Sequence, residues 1–429
     1  MLFIVATAMM MGYFVNDVMS PLETLLELPI EQGGMGWTPS DYGFFSGAGS
    51  FINVFLLMLF FSGIILDKMG IRFTGTLACS LMVIGTLIKL IAITHPSSEI
   101  CHFSFLIFHF DMPRTVVMAS LGFAVFGVGY EMTGISVSKA MVRWFKDHEL
   151  ALAMGIQLAM ARLGTAAALS ISAPVARHFT LSTPLLVSLS FLITGLLAFL
   201  VFCVMDRRLD EDASKTSNPD EDFHWSDITL TLRNPGFWLI TLFCVLFYSA
   251  VSPFLKFSTR LLVIKYGLDA DIAGTFSSIA PFGTILLTPL FGYVYDRYGR
   301  GVTLIITGAL MLTAVHFGFS LPLHSSTIAI SLMVLLSIGY SLAPAALWPC
   351  VPKIIPLKCL GTAYSMIFFI QNFGRAIIPM LVGHANETDP SYTTSMLIFG
   401  FTALGAAVIA VLMLYVDKVK GFGLQKKRI

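Results

Sequence analysis

The chain has 429 residues, of which 56% are hydrophobic and only 12% are charged. Its mean hydropathy of +0.83 and its 37 phenylalanines exclude a soluble globular protein of this length. The formal net charge of +1 is uninformative as a sum, because in a membrane protein the positions of the charges matter. Nucleic acid is not expected to bind. The composition therefore predicts a protein embedded in a lipid bilayer that crosses it several times.

Twelve apolar segments are each long enough to cross about 30 Å of hydrocarbon. They lie at residues 2–20, 40–66, 73–93, 116–141, 150–178, 183–205, 236–264, 272–295, 302–322, 326–351, 360–386 and 391–416. One long polar segment separates the sixth from the seventh. We therefore expect an all-α membrane protein with two pseudo-symmetric bundles: an N-terminal six-helix bundle (1–205), a cytoplasmic linker (206–235), a C-terminal six-helix bundle (236–416) and a cytoplasmic tail (417–429).

Lysine and arginine are distributed unevenly between the two sets of loops. If the amino terminus is cytoplasmic, the outer loops hold only Arg114, Arg177 and Lys265, and the inner loops and the tail hold most of the others. Cytoplasmic loops of membrane proteins carry the excess of basic residues. The pattern predicts that both termini are cytoplasmic.

One charge of each sign falls deep within neighbouring apolar segments. At about 1.5 Å per residue, Glu131 lies ~16 Å and Arg162 ~20 Å from the same membrane face. An ionisable group at that depth costs at least about 2.5–3.5 kcal/mol, so it normally faces a cavity or a partner on a solute pathway. The alternative is a structural salt bridge between the two helices, and both can hold at different steps of one transport cycle.

A motif of glycines and charges repeats at the same place in each half. Gly63, Asp67, Lys68, Gly70 and Arg72 follow the second segment, and Gly292, Asp296, Arg297, Gly299 and Arg300 follow the eighth, with only the final arginine one place early. The carboxylate could cap a helix end and pair with a basic residue, while the glycines would let two helices approach closely. We interpret both copies as a latch that closes the cytoplasmic side. A topological anchor would explain the basic residues alone.

This repeat resembles that of the major facilitator superfamily, and the resemblance covers essentially the whole chain. Further motifs are similar to those of its lysosomal dipeptide uniporter branch: GxGxE at Gly127, Gly129 and Glu131, WFK from Trp144, Glu149-Leu150, MARLG from Met160, ALWP from Ala346, LGTAY from Leu360, and Gln371-Asn372. The resemblance implies two six-helix bundles, a substrate site between them at mid-membrane, and alternating access. It also implies dipeptide transport that depends on Glu131 and Arg162.

The residues favour the same substrate class on chemical grounds. A dipeptide at neutral pH is a zwitterion, so one fixed carboxylate and one fixed guanidinium can pair both of its ends. Aligning Arg162-Leu163-Gly164 with Asn372-Phe373-Gly374 places Asn372 at the pseudo-symmetric position, where it could bind a peptide amide or a neighbouring helix. Further candidate substrate-binding residues along the expected cavity are Tyr13, Asn16, Tyr248, Lys256, Trp348, Gln371 and Arg375.

Other charged residues within the apolar segments have simpler interpretations. Lys89 and Arg260 are expected to extend towards an aqueous face, as long basic side chains do near helix ends. The six cysteines have no metal-site spacing, and no phosphate loop or catalytic carboxylate pair is present. The sequence therefore predicts no enzyme and no cofactor.

Two transport functions remain open, together with a class of protein that does not transport. The first is a uniporter of dipeptides or similar zwitterions. The second is a proton-coupled carrier of small organic anions, in which Arg162 and Arg375 bind carboxylates and Glu131 carries the proton. A drug/proton antiporter is disfavoured because the fifth segment lacks a Gly-Pro-rich element, and a receptor would need no charge pair at mid-membrane. We expect a monomer in a bacterial inner membrane, with a lysosomal membrane as the alternative.

Overall fold

The structure is a computed structural model that describes residues 2–105, 108–145, 150–212, 232–355 and 360–426. Most of the predicted linker, 206–235, lies outside the described residues. The helices α1 to α8 belong to the first half: Leu2–Asp17, Glu23–Leu26, Pro39–Ala48, Phe51–Phe55, Met58–Thr94, Arg114–Phe145, Leu150–His178 and Thr183–Asp212. The helices α9 to α15 belong to the second: Pro235–Tyr266, Ala270–Ser277, Ile279–Tyr298, Gly301–Ser320, Ser326–Ile354, Leu360–Thr388 and Thr393–Lys420.

Eleven helical segments of the described chain are long and apolar enough to cross a membrane. The predicted second segment is the exception, because the structure divides it among α3, α4 and the start of α5. Thr38 begins α3 with a capping box that it forms with Asp41. Leu57 has a left-handed backbone (φ 54°) and separates α4 from α5. The predicted apolar segment 40–66 is therefore formed by three helices in place of one.

The glycines of the repeated motif act on the backbone and not on helix packing. Gly70 (φ +80°) and Gly299 (φ +70°) have positive φ values, which a residue with a side chain adopts only under strain. Gly63 and Gly292 have open space where a Cβ atom would lie. In this conformation nothing lies within 4 Å of the position of a Cβ atom at Gly63, Gly70 or Gly292, contrary to our expectation of close helix approach at these three glycines.

The two ends of the helical bundle are distinguished by their loops. We call the end that carries the loop 27–38, the loop 266–270 and a short hairpin the hairpin face. The hairpin pairs β1 (Ile100–Phe105) with β2 (Phe108–Pro113) in antiparallel register, with Ile100 opposite Pro113. We call the opposite end, where α8 ends and α9 begins, the linker face.

The two halves pack closely near the hairpin face. A Cβ atom on Gly43 of α3 would lie 2.6 Å from the carbonyl oxygen of Pro379 and 2.9 Å from the Cα of Gly383, both on α14. A Cβ atom on Gly47 would lie 2.3 Å from the carbonyl oxygen of Ala376. Because only hydrogen atoms fit there, the backbones of α3 and α14 are in direct contact.

A charge cluster within the first half lies at the linker face. Asp206 is buried, and its carboxylate accepts a hydrogen bond from the Trp144 indole at 3.0 Å. The same carboxylate lies 3.4 Å from Arg143 and 3.8 Å from Arg72 of the repeated motif. Arg72 therefore connects α5 to α8 inside one half.

The other motif residues do not form a comparable cluster in the described chain. Arg297 donates to the Tyr293 hydroxyl at 3.0 Å, and Lys68 and Asp296 are exposed. The backbone of Arg300 donates to the carbonyl of Gln425 in the carboxy-terminal tail. The side chain of Asp67, the predicted latch carboxylate, lies outside the described residues.

We predict that Asp206→Ala lowers the free energy of unfolding by about 1.5–3 kcal/mol, because it removes the acceptor for Trp144 and for two arginines. Asp296→Ala is the matched control and should change stability by less than about 0.5 kcal/mol, since that carboxylate is exposed. Thermal unfolding of the purified variants in detergent measures both. Equal melting temperatures would show that the Asp206 cluster does not stabilise the first half.

Candidate functional site

A cavity of about 780 Å³ lies between the two halves. Its volume is within the range of pockets that bind small molecules. Helices of both halves line it, and so do all the predicted substrate-binding residues except Asn372: Tyr13, Asn16, Glu131, Arg162, Tyr248, Lys256, Trp348, Gln371 and Arg375. The structure thus brings together residues that are up to 362 positions apart in the chain, the separation of Tyr13 and Arg375.

Asn372 does not line this cavity. Its side chain is buried, accepts a hydrogen bond from the Ser50 hydroxyl at 3.0 Å and donates to the carbonyl of Phe368 at 2.9 Å. Both groups of the amide are engaged in contacts within the helical bundle. The expectation that Asn372 faces the substrate is contradicted by its position, and the helix–helix alternative describes it.

The glycines of the GxGxE motif position Glu131. A Cβ atom on Gly127 would lie 1.8 Å from the carbonyl oxygen of Gly49, and one on Gly129 would lie 2.4 Å from that of Ala78. Glycine at both positions lets α6 pack against the chain between α3 and α4 and against α5. Glu131, two residues further on, lies on the cavity side of the same helix.

Glu131 forms an ion pair with Arg375, not with Arg162. The Arg375 guanidinium donates to the Glu131 carboxylate at 2.6 Å, and the two side chains are 22% and 17% exposed, respectively. The pair connects α6 of the first half to α14 of the second. The predicted alternative, a structural bridge between Glu131 and Arg162, is absent from the described residues.

Arg162 lies among aromatic side chains. Its guanidinium is 4.9 Å from the ring centre of Tyr340, and no carboxylate of the described chain is within ion-pair distance. Tyr13, Tyr130 and Tyr248 line the same cavity. A guanidinium stacked on an aromatic ring keeps its N–H groups available for a carboxylate ligand.

A second ion pair joins the halves beside the first. Lys256 of α9 lies 2.7 Å from the Asp17 carboxylate of α1. Asp17 also accepts hydrogen bonds from the Asn16 amide at 2.9 Å and the Thr165 hydroxyl at 2.8 Å. Lys256 donates in addition to the carbonyl of Asn16. Asp17 therefore has partners on three sides.

The cavity extends towards the linker face. On α7 its lining runs from Thr165 and Arg162 back to Gly155, close to the linker-face end of that helix at Leu150. At the hairpin face, the contact between α3 and α14 closes the cavity. The site thus lies between the contact of α3 with α14 at the hairpin face and the linker face, towards which the cavity extends.

Ion pairs between the halves reinforce the seal at the hairpin face. Arg177 of α7 donates two hydrogen bonds to Asp269, at 2.9 and 2.8 Å. These bonds hold the pKa of the Asp269 carboxyl below its usual range. A carboxyl with a lowered pKa contributes stability above its ordinary pKa and loses it only as the pH falls through the lowered value. The pair therefore stays ionised in mildly acidic as well as neutral surroundings.

Arg260 belongs to this seal and does not extend into water as expected. It is buried, and its guanidinium donates to Glu27 and to the Tyr392 hydroxyl. Glu23, which is fully buried, lies 3.7 Å away. The two glutamates follow the first apolar segment closely, so the cluster satisfies a cation that would otherwise be buried without a partner.

Lys89 also differs from the expectation. Its side chain is 0% exposed, and its ammonium lies 4.8 and 4.6 Å from the ring centres of Phe123 and Phe126. The prediction that Lys89 reaches the outer face is wrong. Two aromatic rings of α6 receive this cation instead.

Several residues at the site were not selected from the sequence. Tyr130, Tyr340 and Thr165 line the cavity and contact its charged groups. The position of Tyr130 next to Glu131 is the only sequence signal that points to any of them. Tyr340 and Thr165 lie in helices whose rotation cannot be read from an apolar pattern.

Comparisons with known proteins agree with this architecture. The family model described as Major Facilitator Superfamily matches residues 2–379 and 265–424. The chain belongs to the major facilitator superfamily. It is a multi-pass membrane transporter and not an enzyme.

Curated relatives include the lysosomal dipeptide transporter MFSD1 of several vertebrates. The protein of Bos taurus is 29% identical over 312 residues, which is 70% of this chain and 64% of the relative. That of Danio rerio is 30% identical over 322 residues, 72% of this chain and 68% of the relative. The chain thus spans about two thirds of the length of these relatives.

Solved structures share the fold at low sequence identity. A mutant of a peptide transporter POT in complex with alafosfalin aligns with a TM-score of 0.71 at 14% identity, over 99% of this chain and 95% of the other. A D-xylose-proton symporter aligns with a TM-score of 0.71 at 11% identity, over 96% of both chains. Both confirm the predicted fold class.

We predict that Lys256→Met destabilises the protein by about 3–5 kcal/mol, because it leaves the buried Asp17 carboxylate without its cation. Asp17→Asn should destabilise it as well, and the double variant should recover part of the loss. Melting temperatures of the two single variants and the double variant give the coupling. Strictly additive losses would mean that the two side chains do not stabilise each other.

Proposed function

We propose that this transporter moves dipeptides or similar small zwitterions, binding the ammonium at Glu131 and the carboxylate at Arg162. The observation that carries the proposal is the presence of both residues in one cavity between the two halves. Arg162 has aromatic neighbours and no carboxylate partner in the described chain. It is therefore free to bind a carboxylate through charge-assisted hydrogen bonds.

The remaining cavity residues suit variable side chains. Tyr248 and Trp348 are joined by a hydrogen bond of 3.2 Å, and Phe368 lies with its ring centre 5.4 Å from that of Trp348. Such aromatic surfaces contact side chains of many shapes without requiring a particular hydrogen bond. We propose that selectivity depends on the two charged termini. The relatives named as dipeptide transporters support this substrate class.

We propose that transport proceeds by alternating access and that the described conformation opens towards the linker face. The lining of the cavity on α7 and the seal between α3 and α14 support this orientation. We place the linker face in the cytoplasm, because the basic residues Arg297, Arg300 and Lys353 lie at that end. Opening the hairpin face would require the separation of Gly43 from Gly383.

A carrier of small organic anions is the second candidate. The charged residues that line the cavity are Asp17, Glu131, Arg162, Lys256 and Arg375, so cations exceed carboxylates by 3 to 2. An excess of positive charge favours a substrate with a net negative charge. A proton on Glu131 would then accompany the anion.

Dipeptides with blocked ends test the assignment of the two residues. Arg162→Gln should weaken the binding of free dipeptides by about 1.5–3 kcal/mol, because it removes a charged hydrogen-bond partner. It should leave the binding of carboxyl-amidated dipeptides nearly unchanged, and Glu131→Gln should show the converse with amino-acetylated dipeptides. Isothermal titration of the purified variants gives the dissociation constants.

Arg114→Gln is the control for this experiment, since Arg114 is exposed and pairs with Glu99 on the hairpin face. It should bind every ligand as the unmodified protein does. If Arg162→Gln weakens the binding of free and of amidated dipeptides by the same factor, Arg162 does not bind the carboxylate.

Imposed voltage separates the two candidate functions. A uniporter of zwitterions moves no net charge with its substrate, so a membrane potential of about 100 mV of either sign should leave dipeptide flux into proteoliposomes nearly unchanged. An anion carrier without full proton compensation would respond, because one elementary charge gains about 2.3 kcal/mol per 100 mV. Accumulation of dipeptide above equilibrium under an inward proton gradient would contradict the uniport mechanism.

A further inference from the structure

The two carboxylates in the cavity differ in how many donors they bind. Asp17 accepts from Lys256, Thr165 and Asn16. Glu131 accepts only from Arg375 within the described residues, through one of its two carboxylate oxygens. A carboxylate oxygen can accept more than one hydrogen bond. Glu131 is therefore the carboxylate with one oxygen that has no partner in the described chain, whereas both oxygens of Asp17 accept hydrogen bonds.

The partner of Glu131 comes from the opposite half of the protein. Arg375 lies on α14, and its guanidinium is 5.9 Å from the ring centre of Tyr130, the residue beside Glu131. The two side chains of the pair are accessible from the cavity, which an arriving substrate would enter. A substrate ammonium that reaches Glu131 competes with the Arg375 guanidinium for this carboxylate. The displaced guanidinium then faces the same cavity as Arg162 and the substrate carboxylate.

We propose that Arg375 is an internal counter-ion that replaces the substrate ammonium at Glu131 whenever the site is empty, and that this replacement lets the empty transporter reorient. The inference rests on the proposed function of Glu131. A transporter that completes net uniport must return without substrate, and its site must pass through an occluded state on the way. A carboxylate without a partner is strongly disfavoured in such a low-dielectric site.

Under this proposal, the net charge of the site is the same when the empty and when the loaded transporter reorients. The empty site contains the cations Arg162, Lys256 and Arg375 and the carboxylates Asp17 and Glu131. A bound zwitterion adds one charge of each sign, so the total does not change. Arg375 gives Glu131 a positive partner in the empty form, where the substrate ammonium is absent.

Removal of the counter-ion should convert net transport into exchange. An exchanger crosses the membrane only when loaded, so the substrate ammonium always neutralises Glu131. Without Arg375, the empty return requires a proton on Glu131. The titratable or charged groups that line the cavity with Glu131 are Tyr13, Asp17, Tyr130, Arg162, Tyr248, Lys256, Tyr340 and Arg375. Of these, Arg375 is the one within ion-pair distance of Glu131.

The test compares two uptake assays with radiolabelled alanyl-alanine in proteoliposomes. Net uptake is measured in empty vesicles, and exchange is measured in vesicles preloaded with the unlabelled dipeptide. Arg375→Gln should lower the ratio of net uptake to exchange at least about tenfold at about pH 7.5, which corresponds to about 1.4 kcal/mol in the barrier.

Two further variants make the result specific. Arg375→Lys retains a positive charge and should restore the ratio at neutral pH, and Arg114→Gln, on the exposed hairpin face, should leave both assays unchanged. If Arg375→Gln does not purify as a folded protein, Arg375→His supplies the same comparison, since histidine is cationic at about pH 5.5 and neutral at about pH 8.

The outcomes separate the counter-ion role from other roles. Equal losses of net uptake and exchange in Arg375→Gln would overturn the counter-ion role and leave dipeptide transport intact. A wild-type protein that takes up no alanyl-alanine in either assay would overturn the proposed function, and the counter-ion role with it.

Discussion

Charges within an apolar bundle need partners, and the two ion pairs at the cavity of this transporter each join opposite halves. Glu131 pairs with Arg375 at 2.6 Å and Asp17 with Lys256 at 2.7 Å. Both pairs join the first half to the second beside the cavity. Because a lone buried charge is costly, separating the two halves here would leave these four side chains without their partners. Under the proposed function, a zwitterionic substrate would supply replacement charges.

Close helix packing around the cavity positions these charged residues. Gly127 and Gly129 let α6 approach its neighbours at backbone distance, which turns Glu131 towards the second half. Gly164 does the same for α7, since a Cβ atom there would lie 2.1 Å from the carbonyl oxygen of Met10. Thr165 then reaches Asp17. Small residues along the helices thus determine which polar groups meet.

The sequence predicted the features that depend on the composition of a single segment. Eleven of the apolar segments correspond to long helices, and Glu131 and Arg162 were identified because charges in apolar runs are expensive. The sequence did not predict which side chains pair, because pairing depends on how each helix is rotated about its axis. Glu131 pairs with Arg375, 244 positions away. Asn372 does not face the cavity, because its side chain accepts a hydrogen bond from the Ser50 hydroxyl. The separation of α4 from α5 at Leu57 was also not predicted, since the residues next to Leu57 are apolar.

The seal at the hairpin face combines forces of very different range. The attraction between the backbones at Gly43 and Gly383 falls by about a quarter to a half when a gap of about 0.5–1 Å opens. The Arg177–Asp269 pair lies at the surface, where its field decays over about 8 Å at physiological ionic strength. The two faces of α3 and α14 therefore attract weakly from afar and strongly only on contact. Added salt therefore weakens the attraction between the two halves at a distance more than it weakens their final contact.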